Sequence, residues 1–314
     1  MKIVFMGTPG FAVPSLKTLI ENGYNIVGVV TAPDKPAGRG QQLMKSEVKQ
    51  FAEAHHLKIL QPTNLKSEEF LQELKALDAD LQIVIAFRML PETVWNMPPM
   101  GTYNLHASLL PSYRGAAPIN WAIINGEKES GVTTFKLKHE IDTGNILFQE
   151  RIQIDENMSA GELHDQLMEL GEKVILKSVK EIEKGNPKLI EQNEQGKITH
   201  APKIFREQCK IDWNKTALEV HNHIRGLSPY PAAWTDFFNG EGQNIKLKIF
   251  KARVINNQEK HDMPWIITED NQKIIALCST GRIEILELQA PGKKRLTSAE
   301  FLRGFKIQPN NKLL

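Results

Sequence analysis

Cysteine is almost missing from this sequence: 314 residues hold two, Cys209 and Cys278. Two thiols cannot build a disulfide framework, and neither sits in a Cys-x-x-Cys pair, so structural zinc is not expected and a reducing compartment is favoured. No stretch approaches the apolar length of a membrane-spanning helix. Residues 1–14 carry one lysine and an apolar run soon broken by Gly7, Pro9 and Gly10, which fails the pattern of a secretory leader. A cytoplasmic protein with no membrane partner is expected. A complete G-x-G-x-x-G is also lacking: Gly7 and Gly10 do not fit the spacing, and no acidic residue follows at the distance a ribose would need, so no dinucleotide cofactor is expected. His55-His56, His221 and His223 have no cysteine or carboxylate cluster beside them, and no metal is expected either. Low-complexity tracts and internal repeats are missing as well.

What is present is ordinary for a globular chain, with 41% hydrophobic and 24% charged residues. The length allows two domains, each with its own core. A net charge of +2 conceals an asymmetry: residues 1–186 hold 19 Lys and Arg against 23 Asp and Glu, a net of −4, and residues 187–314 hold 20 against 14, a net of +6. A basic C-terminal part suits either a solvated surface or a polyanion-contacting face, whose binding would be salt-dependent.

Residues 2–6 read as an apolar strand that runs through a Gly-Pro turn into a helical pattern ending near residue 21, and residues 25–31 as a second, β-branched strand. Helical and strand patterns then alternate through 46–55, 59–60, 67–77 and 81–87. The expected fold is a Rossmann-like, mostly parallel sheet with helices on both faces. Residues 32–43, with prolines, glycines, Lys35 and Arg39, read as an exposed loop. Ser159-x-x-Glu162 is a capping box opening a long helix that Gly185 ends. The first domain is therefore set at 1–186, a polar linker with at most one extended strand at 187–204, and a second domain at 205–314. Short alternating segments at 233–237, 245–254, 273–278 and 283–288 suggest that the second domain is a small OB-like β-barrel.

Chemistry concentrates at residues 102–119, TYNLHASLLPSYRGAAPI, and in HEIDTGNIL downstream. Asn104 and His106 are two apart in a short strand, so they share one face. A Pro-, Gly- and Ser-rich loop follows at the strand's carboxyl end, where open α/β sheets place ligands. A carboxamide can donate to a developing oxyanion, and an imidazole can donate or carry a proton near neutral pH. Asp142, folded against His106, would fix its tautomer or favour imidazolium. The trio suits acyl transfer through a tetrahedral intermediate with the amine supplied by the substrate. Gly144 is expected to permit the tight turn that aims Asp142.

The order N-x-H, S-L-L-P, R-G and D-T-G resembles the folate-dependent formyltransferases, which move a formyl group from 10-formyltetrahydrofolate to an amine. The resemblance implies that Asn104, His106 and Asp142 are catalytic and that Ser108, Leu109, Leu110 and Pro111 contact folate. Phe87, Arg88 and Met89 match a segment that shapes the pterin pocket, with Arg88 where a small residue is usual. The likeness spans the chain, from GTPGFA at 7–12 and PDKPAGRG at 33–40 to LQAPGKKRLTS at 288–298, and is of the kind that formylates methionine carried on initiator tRNA. It implies a basic contact to the acceptor stem from Arg39, with Lys35 beside it. Lys203, Arg206 and Lys210, clustered at the entrance to the second domain, are further tRNA candidates. The implied substrates are 10-formyltetrahydrofolate and methionyl initiator tRNA, with no metal, and a monomer is expected. An amino sugar nucleotide acceptor would use the same trio without the loop at 32–43, and a non-enzymatic RNA-binding protein would leave the trio unexplained.

Overall fold

The computed structural model describes the chain outside residues 38–41, 194–197, 239–243, 262–265, 270–271, 306, 308–311 and 314. By internal contacts it forms two compact units, one of Met1–Gly115, Ser130–Ile152 and His164–His200, the other of Ala116–Glu129, Gln153–Leu163 and Ala201–Leu314.

In chain order the elements through the long helix are β1 (Lys2–Gly7), α1 (Val13–Glu21), β2 (Asn25–Val30), β3 (Lys35–Ala37), β4 (Gln42–Met44), α2 (Glu47–Ala54), β5 (Ile59–Leu60), α3 (Glu68–Lys75), β6 (Leu81–Ile85), α4 (Glu92–Trp95), β7 (Thr102–His106), β8 (Arg114–Gly115), α5 (Pro118–Ile124), β9 (Glu129–Lys136), β10 (Ile146–Gln153) and α6 (Ala160–Glu183). The first unit is built on a sheet ordered β10-β9-β7-β6-β1-β2-β5. β1 is parallel to β2 and β6, β2 to β5, and β6 to β7, while β9 runs antiparallel to β7. Ile3, Val4, Phe5 and Met6 of β1 and Leu81, Ile83 and Ile85 of β6 are fully buried. Both faces of these strands are covered, which is why they read as unbroken apolar runs. The chain leaves β1 toward β2 on one side and later returns to β6 on the other. That reversal opens a crevice at the carboxyl ends of β1 and β6.

Local signals set the helices. The Ser46 hydroxyl accepts the Lys49 N–H at 3.1 Å and starts α2, whose Val48 and Ala52 lie one turn apart and are buried. α6 begins with the expected capping box, in which Ser159 and Glu162 exchange hydrogen bonds of 2.7–3.2 Å. Gly171 of α6 lies over Leu105 of β7, and a Cβ there would come within 2.7 Å of a Leu105 methyl. The long helix is thereby seated on the strand that carries Asn104 and His106.

One sequence expectation changes. The segment 32–43 is more than a loop: β3 and β4 pair antiparallel, with Lys35 opposite Met44 and Pro36 opposite Leu43. A two-stranded pair has open edges on which a proline needs no N–H, so Pro36 hid a strand rather than excluding one. The polar segment after residue 186 is tied to the sheet, because Ile190 and Ile146 exchange backbone hydrogen bonds of 2.7 and 2.8 Å.

The remaining elements are β11 (His200–Ala201), α7 (Ala217–Gly226), β12 (Ala233–Phe238), β13 (Asn244–Lys260), β14 (Ile266–Glu269), β15 (Lys273–Leu277), β16 (Thr280–Gln289), β17 (Leu296–Thr297), α8 (Ser298–Gly304) and β18 (Lys312–Leu313). In the second unit the strands form an antiparallel sheet ordered β14-β15-β16-β13-β12-β18, with β17 on β16. Register shifts along β13 bend the long strand, as curled OB-like sheets require. Trp213, Val220, Ile224, Phe237, Ile249, Ile283 and Ile285 make its core. The Trp213 indole N–H is buried with them and donates to the Thr235 hydroxyl at 2.9 Å.

Candidate active site

β7 holds the centre of the site. Its residues pair with β6 on one side and β9 on the other, Asn104 lying between Val84 and Phe135. Asn104 is partly exposed and, among the described residues, its carboxamide has no hydrogen-bond partner. His106, two residues on, is buried. Its Nε2 lies 2.8 Å from the Tyr113 carbonyl oxygen. A carbonyl only accepts, so the proton is on Nε2, and Nδ1 faces Asp142. The Asp142 Oδ2 stands 4.0 Å from that nitrogen and accepts the Gly115 backbone N–H at 3.0 Å. The carboxylate therefore lies between a fixed donor and an imidazole edge that becomes a donor on protonation. His106 and Asp142 thus face each other, and Asn104 stands two residues before His106 on the same strand.

Gln192, a residue that no sequence signal singled out, helps to hold this arrangement. Asp142 adopts a left-handed backbone, with φ of 55°. Such a conformation costs about 1–2 kcal/mol in a residue with a Cβ, though Asp is among the types that tolerate it. The Gln192 carboxamide donates to the carbonyls of both Asp142 and Gly144, at 2.8 Å each. Its oxygen accepts from the Arg114 guanidinium at 2.6 and 3.2 Å. Gln192 lies in the stretch read as linker, where a polar residue among Asn, Gln and Glu gives no sign of its task. Gly144 acts differently from the expectation. Asp142, not Gly144, has the positive φ; a Cβ on Gly144 would overlap the Lys136 carbonyl oxygen, so glycine is required for close approach of the turn to β9.

Thr133 of β9, opposite His106 in register, fastens the loop that follows β7. Its hydroxyl donates to the Ser108 carbonyl at 2.6 Å and accepts from Leu110 N–H at 3.2 Å and Gln149 Nε2 at 3.0 Å. Gln149 also donates to the Leu110 carbonyl at 2.9 Å. Ser108 is fully buried, and its hydroxyl donates to the Ser112 carbonyl at 2.7 Å. Leu110 is buried too, whereas Leu109 and Pro111 are partly exposed. Of the four loop residues, Ser108 and Leu110 are thus the interior braces, and Leu109 and Pro111 offer surface.

The loop after β6 lies across the crevice. Phe87 is half-buried, and Arg88 and Met89 are exposed. The Arg88 guanidinium donates to the Thr63 carbonyl at 3.0 Å and to the Pro62 carbonyl, and its carbon lies 5.6 Å from the Phe87 ring centre. Arg88 thereby joins the loop after β6 to the loop after β5. Together with Thr8, Pro33, Lys35 and Thr63, Phe87 and Arg88 line a cleft of about 420 Å³. Among the described residues no group of three or more His, Cys, Asp or Glu side chains is placed to hold a metal.

Residues 1–179 match the formyl transferase family model, and residues 203–306 match that of the formyl transferase C-terminal domain. The chain belongs to the formyl transferase family. The methionyl-tRNA formyltransferase of Bacteroides fragilis is 52% identical over 310 residues, covering 98% of this chain and 96% of its own. That of Flavobacterium johnsoniae is 51% identical over 313 residues, covering 100% and 99%. Among solved structures, a Helicobacter canadensis N-formyltransferase in complex with folinic acid and dTDP-3-aminofucose superposes with a TM-score of 0.65 at 24% identity, covering 92% of this chain and 99% of that one. Methionyl-tRNA formyltransferase from Clostridium thermocellum does so at 0.56 and 17%, covering 92% and 98%. These two likenesses establish the fold.

The basic residues of this formyl transferase stand in different surroundings. Lys35 is exposed at the start of β3, and Arg39 lies outside the described residues. In the second unit Lys203 is exposed, with its Nζ 5.6 Å from the centre of the exposed Phe205 ring, and Arg206 is exposed next to it. Lys210 pairs with Asp236 at 2.9 Å, and so does Lys246 at 3.0 Å. Burial works to raise the Asp236 carboxyl pKa, but hydrogen bonds from the two lysines outweigh it and hold the group below its ordinary range. Both lysines flank Trp234, Lys246 at 3.8 Å and Lys210 at 5.6 Å from the ring centre. Sequence reasoning missed Lys246 and Trp234, which β-strand register brings to Lys210.

Proposed function

We propose that this chain transfers the formyl group of 10-formyltetrahydrofolate to the α-amino group of methionine on initiator tRNA, acting as a cytoplasmic monomer in translation initiation. The observation that carries the reading is the meeting of Asn104, His106 and Asp142 at the carboxyl end of β7, in a chain that is 52% identical along nearly its full length to a methionyl-tRNA formyltransferase. The neutral amine attacks the formyl carbon, a C–N bond forms, and the carbonyl oxygen takes the negative charge. The Asn104 carboxamide donates to that oxygen. His106 Nε2–H, held by the Tyr113 carbonyl, is the second donor when the oxyanion competes for it, and Asp142 stabilises the imidazolium through Nδ1. The C–N10 bond then breaks, and the proton lost by the amine ends on N10, so atoms and charge balance. His106 and Asp142 carry that proton between them.

Leu109, Pro111 and Met89 give apolar surface to the folate, on a loop braced by Ser108 and Leu110, while Phe87 and Arg88 form the wall between donor and acceptor. Lys35, Arg39, Lys203, Arg206 and Lys210 are the proposed tRNA contacts. The test is transfer of labelled formyl to charged initiator tRNA, with elongator methionyl-tRNA and an amino sugar nucleotide as parallel acceptors. Selective labelling of the initiator supports the reading. Labelling of the sugar alone would keep the trio and overturn the acceptor, and no transfer anywhere would overturn the activity. His106→Ala and Asp142→Ala should each remove most turnover in a folded protein.

A further inference from the structure

We infer that Gln149 is a positioning residue for the formyl donor. Its two amide N–H bonds fix the loop after β7 that offers Leu109 and Pro111 to the folate, and the position therefore demands a nitrogen donor rather than a side chain of a given size. This deepens the proposed function and rests on it.

Residues 107–113 belong to no strand, so their buried main-chain groups need side-chain partners. The loop lies on β9, which receives it at two positions that share a face, Gly131 and Thr133. At Gly131 a Cβ would come within 2.5 Å of a Leu109 methyl, so glycine lets Leu109 settle against the strand. At Thr133 the hydroxyl is saturated. It gives its one proton to the Ser108 carbonyl at 2.6 Å and accepts from Leu110 N–H at 3.2 Å and from Gln149 at 3.0 Å.

Thr133 therefore has nothing left for the carbonyl of Leu110, a buried residue, and Gln149 supplies that N–H at 2.9 Å. Both groups that face the Gln149 nitrogen are acceptors: a carbonyl, and a hydroxyl whose proton is committed elsewhere. An oxygen at that place would meet lone pairs on both, and the Leu110 carbonyl would lose its donor. The loop would then have to shift, carrying Leu109 and Pro111 with it. The reacting groups have anchors of their own. Tyr113, whose carbonyl meets His106, gives its N–H to the Thr199 carbonyl at 2.6 Å, and Asp142 accepts the Gly115 N–H. A change at residue 149 should thus reach the donor and leave the chemistry in place.

The test uses the full chain, with folinic acid as the binding probe in calorimetric titration and thermal unfolding as the control on folding. Gln149→Glu keeps the shape and puts an acceptor where the donor was; Gln149→Met keeps an unbranched side chain without an N–H; Gln149→Lys is longer but restores N–H donors. Gln149→Glu and Gln149→Met should each weaken folinic acid about tenfold, as loss of a donor to a buried carbonyl does, and raise the KM for 10-formyltetrahydrofolate by a similar factor. The KM for charged tRNA and kcat at saturating donor should hold, and Gln149→Lys should bind folinic acid within about threefold of wild type. Wild-type affinity in Gln149→Glu, or weaker binding by Gln149→Lys than by Gln149→Glu, would make shape the requirement and overturn the inference. Equal rises in both KM values would report a general loosening and overturn it as well. If the wild-type chain binds folinic acid but formylates no tRNA, the proposed acceptor is what fails, and the binding series still decides the role of Gln149. If the wild-type chain binds no folate, the proposed function fails and the inference with it.

Discussion

Replacing Gln192 with alanine isolates what holds Asp142 in place. The substitution deletes two hydrogen bonds to the carbonyls of Asp142 and Gly144, each 2.8 Å, and the acceptor of Arg114. At about 0.5–1.5 kcal/mol net per bond, the two carbonyl bonds bias the turn by about 1–3 kcal/mol. That matches the cost of about 1–2 kcal/mol for a left-handed residue carrying a Cβ, so the conformer presenting Asp142 changes from dominant to one of several. At about 1.36 kcal/mol per factor of ten, kcat should fall by roughly 5- to 100-fold. KM for the donor and the acceptor should hardly move, because Gln192 bonds the Asp142 turn and the Arg114 side chain and reaches the chemistry through them. The assay is steady-state formyl transfer by Gln192→Ala, by Asp142→Ala and by the double variant, with thermal unfolding as the control on folding. Gln192 acts through Asp142, so the double variant should be no slower than Asp142→Ala alone. Multiplying losses, or a kcat for Gln192→Ala within twofold of wild type, would refute the reasoning.

Other consequences can be checked singly. Gly144→Ala forces a methyl into the Lys136 carbonyl; the turn must move, and kcat should fall at least tenfold while the unfolding temperature drops only slightly, a result read by parallel kinetics and calorimetry. His221 and His223 are held below the ordinary imidazole pKa, chiefly by burial. The unfolded chain therefore binds more protons than the folded one below about pH 6.5. Stability measured by denaturant titration should be flat near pH 7.5 and decline as the pH falls through 6.5, and His221→Gln should flatten part of that slope. Burial pushes the Cys278 thiol up to about 12 and raises that of Cys209. Neither should react with a thiol reagent at pH 8 until the chain is unfolded, as a timed colorimetric titration with and without denaturant would show.

The site was legible where chemistry and periodicity coincide. Asn104 and His106 share a strand face by the period of two, and the D-T-G turn announces a polar group that returns to them. Nothing comparable announces Gln192, because its work is defined by two carbonyls nearly fifty residues upstream in a turn that exists only once the sheet has formed. A carboxamide hydrogen-bonding main chain leaves no pattern in sequence, since any backbone supplies the partner. Gly144 shows the converse: the residue was legible and its reason was not, because positive φ is a local property and close approach to β9 is a tertiary one. Pro36 was misleading for a third reason, an edge strand having no ladder bond for proline to break. The sheet order then adds what no single motif contains. Lys35 and Phe87-Arg88 are about fifty residues apart and were read as serving different substrates; adjacent loops at the switch point place them around one cleft. Arg88, anchored to the carbonyls of residues 62 and 63, joins two of the loops that line that cleft.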